Sequence, residues 1–83
     1  MNSTIREILS KFGQLPVAVD TIADDADLYA AGLSSFASVQ LMLGLEDGFD
    51  IEFPDSMLNR KSFASISAIE ATVKTILDGK EAA

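Results

Sequence analysis

Two adjacent serines, Ser34 and Ser35, are the side chains in this sequence best placed for covalent chemistry. They follow Gly32-Leu33 and precede an apolar run with helical spacing, so they fall at the start of a helix. Backbone N–H groups at a helix start are unpaired and the helix dipole is positive there, which would stabilise a phosphate ester on a serine hydroxyl. A serine before a helix is more commonly a plain N-cap, and local physics alone leaves both readings open.

The other candidates are weaker. The chain has neither histidine nor cysteine. The usual general base and the best nucleophile are therefore missing, together with any disulfide or thiolate zinc site. Thiol chemistry would need a thiol from outside. Asp24, Asp25 and Asp27 could suggest a calcium loop, but an EF-hand needs glutamate at position twelve, and Ser35 stands there when the count starts at Asp24. An enzyme site built on these carboxylates lacks a plausible pocket in 83 residues. No catalytic residue and no metal site is expected.

The elements that must position the serines can be read from periodicity. Ile5, Ile8, Leu9 and Phe12 mark one face of a first helix, with Thr4 and Glu7 at capping-box spacing and Gly13 as the stop. A long segment without sustained period runs from Gly13 to Leu33, and its scattered apolar residues should pin it onto the bundle. The second helix should start at Ser34 or Ser35 and end near Asp47, with Phe36, Val39, Leu43 and Met42 as its inner stripe and Gly48 at a left-handed C′ position. Gly44 interrupts it, either for close packing or to leave space for a bound group. Ile51-Glu52-Phe53 reads as an extended linker, because Pro54 follows, and Asp55-Ser56 should open a short turn through Leu58. The last helix should cover about Ile66 to Leu77, with Ser65 as N-cap, Ser67 and Glu70 as a second capping box, Gly79 as terminator and a frayed tail from about residue 80. The expected fold is all-α: a single domain, a small bundle of three to four helices with a long loop between the first and second.

Composition bounds the function. Apolar residues make up 48% of the chain, enough for a core and too many for a disordered tail. A net charge of −7 argues against nucleic acid and anionic membranes, and favours a soluble monomer with basic partners. Apolar stretches are far shorter than a membrane span, and no basic start with an apolar run suggests a signal peptide, so the reading is a cytoplasmic protein with a native start at Met1 to Thr4.

The wider pattern around the serines resembles the acyl carrier protein family. Leu28, Gly32, a serine three residues on, an aromatic residue, then Val39 and Leu41 at helical spacing match the family's Asp-Ser-Leu region, with Ser34-Ser35-Phe36 in the motif. Leu45-Glu46-Asp47-Gly48-Phe49-Asp50-Ile51-Glu52-Phe53-Pro54-Asp55 resembles the family's acidic helix end and the run that follows, and the closing helix fits as well. The resemblance implies that Ser35 carries 4′-phosphopantetheine, placed there by a phosphopantetheinyl transferase, and that an acyl or aminoacyl group rides on the arm as a thioester. It implies that an acyl- or aminoacyl-loading ligase and downstream transferases are partners. It assigns partner contact to Ser34, Phe36, Val39, Leu43, Glu46, Asp47 and Asp50. Ser34 replaces the motif's aspartate, and Ala37 and Gln40 stand where fatty-acid carriers often place acids, which points to a dedicated loading enzyme. Val39-Gln40-Leu41 and Asn59-Arg60-Lys61-Ser62-Phe63 look similar to stretches in D-alanyl carrier proteins. The alternative is an unmodified acidic helical interaction module.

Overall fold

Three helices carry the fold in the computed structural model: α1 (Asn2–Phe12), α2 (Ser35–Phe49) and α3 (Ile66–Ala82). The structure describes residues 1–82, with side chains through Gly79. No strand occurs among them. The all-α bundle with a long first loop is as expected.

Each helix is fixed by the stripe it buries. Ile5, Ile8 and Leu9 turn α1 inward, and Ile66, Ile69 and Val73 do the same for α3. Helix α1 is central, with α2 and α3 both packed on it and α3 also packed on the turn that precedes it. Gly44 and Gly48 form a flat strip on α2 against α1. A Cβ on Gly44 would sit 2.6 Å from Phe12 Cδ2 and 3.0 Å from Ile8 Cγ2, and one on Gly48 would sit 2.7 Å from Ile8 Cδ1. Close packing is therefore what Gly44 serves.

That strip also decides which way α2 faces. The buried residues are Ala37, Leu41 and Leu45. Of the expected inner stripe, Phe36, Val39 and Leu43 are turned out instead, 68%, 51% and 50% exposed, while Met42 packs in part against the core. Apolar residues surround much of this helix, so periodicity alone could not choose a face. Burying Phe36 and Leu43 would rotate the glycine strip away from α1 and forfeit the close approach.

The helix ends differ from expectation in three places. Helix α1 starts at Asn2 with Met1 as N-cap and no side-chain cap, so the Thr4–Glu7 pair lies inside the helix rather than at its start. Phe12 ends α1 at the rim, 36% exposed. Helix α2 runs past Gly48 to Phe49, and Asp50 takes the left-handed C-cap at φ 54°, a conformation Asp tolerates better than most residues. Gly48 is needed against Ile8, and the turn is closed instead by Ile51 N donating to Glu46 O at 3.0 Å. Helix α3 continues through Gly79 to Ala82, because the solvent-facing glycine meets no neighbour that would turn the chain. The tail expected to fray from about residue 80 is helical in its backbone through residue 82, and residue 83 lies outside the described residues. Ser65 caps α3 as expected, its Oγ accepting from Ala68 N at 3.0 Å.

The long loop is pinned from several sides. Val19, Ile22, Leu28 and Leu33 are buried, and Val19–Thr21 forms a short 3-10 turn. Leu28 N donates to Ala64 O at 2.7 Å and Ser67 N to Asp24 O at 2.8 Å, tying the loop to the start of α3. Arg6 clamps it to α1, donating to Val19 O at 2.8 Å and to Asp24 Oδ1 at 2.6 Å. Hydrogen bonds from Asn2, then Arg6, hold the exposed Asp24 carboxyl below its ordinary value of 3.8. Asp24 is thus engaged within the chain.

Between α2 and α3 the chain is extended over Ile51–Phe53, with Ile51 and Phe53 buried and Glu52 outward. Two 3-10 turns follow, Asp55–Met57 and Arg60–Phe63. The first matches the expected short turn. The second was not expected, although Asn59 followed three residues later by Ser62 is its signal: Asn59 Oδ1 accepts from Ser62 N at 3.0 Å. Phe63 packs its ring 5.4 Å from that of Phe53 and anchors this segment to the core.

Candidate functional site

The two serines divide their work. Ser34 takes extended backbone angles and its Oγ accepts from Ala37 N at 3.0 Å, so it is the N-cap of α2. Ser35 is the first helical residue and is exposed. Its backbone carbonyl accepts from Ser38 Oγ at 2.7 Å. Its own hydroxyl makes no hydrogen bond among the described residues. Because the neighbour does the capping, the Ser35 hydroxyl is left at the positive end of a 15-residue helix with no structural duty.

The turn before α2 fixes where that hydroxyl stands. Asp27 Oδ1 accepts from Tyr29 N at 2.9 Å and Ala30 N at 3.3 Å, and Leu33 N closes back on Leu28 O at 2.9 Å. Gly32 has φ +120°, which side chains rarely adopt, and an added Cβ would meet Pro16 Cδ at 2.7 Å. Leu33 then buries beside the core and delivers Ser34 and Ser35 to the surface.

Ser35 opens onto a cleft of about 340 Å³. Ser38, Val39 and Met42 of α2 form one wall, and Leu58, Asn59, Arg60 and Phe63 form the other, with Tyr29 at one side. The Arg60 guanidinium carbon stacks 4.1 Å from the centre of the Tyr29 ring. No acid lines this cleft, and the first turn of α2 carries none. The first acidic residue of α2 is Glu46.

Of the remaining expected site residues, Phe36, Val39 and Leu43 form an exposed apolar face that begins beside Ser35. Glu46, Asp47 and Asp50 lie at the other end of the helix, about 16 Å along the axis from Ser35 to Glu46. Glu46 is partly buried and its Oε2 accepts from Phe53 N at 2.9 Å, holding the extended linker against α2. Its carboxylate thus has an internal task, which sequence reading missed. Asp47 is exposed, and Asp50 closes the helix. Sequence reading also missed Tyr29 as part of the site; its only signal was a lone aromatic in the loop leading to the serines.

The site suits a phosphate-linked prosthetic arm. It has a free hydroxyl, a positive helix end, an adjoining cleft with apolar walls and a single cation on the rim. When bound, 4′-phosphopantetheine supplies the thiol that this chain lacks and holds an acyl group as a thioester.

The comparisons with known proteins agree. The family described as phosphopantetheine attachment site (PP-binding) matches residues 3–73. An aminoacyl carrier protein of Agrobacterium fabrum is 84% identical over 83 residues, the full length of both chains. Aminoacyl carrier protein 1 of Bradyrhizobium diazoefficiens is 34% identical over 82 residues, 99% of this chain and 90% of its own. Among solved structures, the carrier protein from Agrobacterium tumefaciens, in a crystal complex with an engineered Bradyrhizobium japonicum glycine:[carrier protein] ligase and AMP, superposes with a TM-score of 0.88 at 84% identity, over 89% of this chain and 99% of that one. The chain belongs to the phosphopantetheine-binding carrier proteins, and it holds an acyl or aminoacyl group as a thioester on a 4′-phosphopantetheine arm and presents it to partner enzymes.

Proposed function

We infer that Ser35 is the attachment point and that the cargo is an amino acid, loaded by a ligase of the glycine:[carrier protein] type. The observation that carries the first part is the free, exposed Ser35 hydroxyl at the start of α2, beside a serine that has taken over the cap. A phosphopantetheinyl transferase would use that hydroxyl. Support for the cargo comes from the relatives named above and from a Bradyrhizobium japonicum ligase solved with its glycylated carrier protein, which is 32% identical to this chain with a TM-score of 0.73.

The bundle itself makes no bonds with its cargo. It presents the arm, and partners reach it over the face of Phe36, Val39 and Leu43, which is apolar and exposed with no other role in the fold. Ser34 lies at the margin of this face. Asp47 and Asp50 mark its far end and act on encounter, while Glu46 serves mainly to hold the linker. A cytoplasmic monomer fits an ATP-dependent loading partner.

The test is charging. Purified protein carrying the arm should gain one glycyl mass when incubated with a glycine:[carrier protein] ligase, glycine and ATP. It should be a poor acceptor for fatty-acid synthesis enzymes. Efficient malonyl loading together with no gain from the ligase would overturn the aminoacyl reading.

A further inference from the structure

We propose that Arg60, stacked on Tyr29, makes the cleft beside Ser35 charge-selective: it seats the neutral part of the arm and turns a cationic aminoacyl terminus back into solvent. This rests on the reading that Ser35 bears the arm.

The cleft joins two separately anchored turns. Tyr29 is held by the Asp27 carboxylate through its backbone N–H. Arg60 opens a 3-10 turn whose cap is Asn59, and Asn59 Nδ2 also donates to Ser56 O at 3.1 Å. The 4.1 Å stack therefore spans the rim from one fixed point to another. Among the described residues Arg60 has no carboxylate partner. Lys11, Lys61 and Lys74 likewise show no ion pair among the described residues, and what sets Arg60 apart from them is its place on the cleft wall and its stack on Tyr29.

The chemistry of the occupants gives that cation a use. An arm on Ser35 starts with an anionic phosphodiester, for which a cation on the same cleft is favourable. Its gem-dimethyl and amide portion is neutral and matches walls made by Val39, Met42, Leu58 and Phe63. An amino acid held as a thioester keeps a free α-ammonium group. Entering the cleft would strip its water and bring it toward a like charge, with no acidic side chain in the lining to offset either cost, since the arm's own phosphodiester is fixed at Ser35, at the opposite end of the arm from the ammonium. A neutral acyl group meets neither penalty. The charged end of an aminoacyl carrier thus remains outside, ready for the next enzyme.

The test uses stable amide analogues of the arm, installed from coenzyme A analogues and ending in glycyl (cationic) or N-acetylglycyl (neutral). Mass spectrometry first locates the arm. Nuclear Overhauser contacts then report its position. In wild type the acetyl methyl should contact the Phe63 ring and the Met42 methyl, while the glycyl methylene should show no such contact. Arg60→Gln, which removes the like charge and leaves only the desolvation cost, should let weak glycyl contacts to both groups appear, and Arg60→Lys, which keeps the charge without the planar stack, should still show none. Equal contacts from both ends in wild type, or none from either, would overturn the proposal, as would a glycyl end still excluded in Arg60→Gln or admitted in Arg60→Lys. An arm absent from Ser35 would sink the attachment reading, and this one with it.

Discussion

Replacing Phe36 by alanine should separate docking from folding. The ring is 68% exposed, so only about a third of it contributes to the folded core, and stability should fall by no more than ~1 kcal/mol. Docking is a different matter. Taking ~200 Å² for a phenylalanine, a partner that covers the exposed part removes about 140 Å² of apolar surface from water. At about 25 cal/mol/Å² that is worth at most ~3.5 kcal/mol. Ordering costs and incomplete burial leave about 1.5–3 kcal/mol, or roughly 10- to 150-fold in capture. The assay is steady-state glycylation of fully phosphopantetheinylated carrier by a glycine:[carrier protein] ligase, with the carrier as the varied substrate. KM for the carrier should rise by that factor and kcat should change little, because Phe36 touches no reacting atom. Val39→Ala should act in the same direction by less, since its side chain is smaller and 51% exposed. An unchanged KM, with helical circular dichroism intact, would refute the docking face. A fall in kcat at constant KM would make Phe36 a positioning residue for Ser35 instead.

Three further outcomes follow from the bonds around the site. Glu46→Ala leaves Phe53 N–H without its charged acceptor and should cost about 1.5–3 kcal/mol in urea unfolding, whereas Glu46→Gln keeps an acceptor and should cost less than ~1 kcal/mol. Gly32→Ala forces a side chain to φ +120° against Pro16 and should destabilise by about 1–3 kcal/mol, read as a lowered midpoint in thermal melting, with slower modification of Ser35. Asp24 has a folded pKa depressed below 3.8, so its clamp contributes stability above that value and loses it as pH falls through the folded pKa. Asp24→Asn should therefore flatten the acid limb of the stability profile below about pH 4, and a limb as steep as wild type would contradict the clamp.

Much of this was legible in the sequence because the signals were local. Ser34 and Ser65 are caps, and Ile5, Ile8, Leu9, Ile66, Ile69 and Val73 show a single helical period, so the starts of α2 and α3 and two buried stripes could be read directly. The facing of α2 could not be. With Phe36, Val39, Leu41, Leu43 and Leu45 all apolar, the choice was made by Gly44 and Gly48 packing on Ile8 and Phe12 of a helix some thirty residues earlier in the chain. Glu46 gave the same lesson. It reads as a surface acid until the linker folds back and brings Phe53 N–H to it. At the proposed site, the motif pointed to Ser35, but nothing in the sequence pointed to the cleft, because it is made of Tyr29, α2 and the Arg60 turn, which meet only in three dimensions.

Ser35, and no other hydroxyl, is the proposed carrier of the prosthetic arm. Wild type and Ser35→Ala should each be incubated with coenzyme A and a broad-specificity phosphopantetheinyl transferase and weighed intact by mass spectrometry. Ser34→Ala serves as the companion, expected to lose about 1 kcal/mol of stability with its cap yet still accept the arm. Wild type and Ser34→Ala should each gain one phosphopantetheine mass, and Ser35→Ala should gain none while keeping its helical circular dichroism. A full gain on folded Ser35→Ala would rule out Ser35 and move the attachment point to another residue.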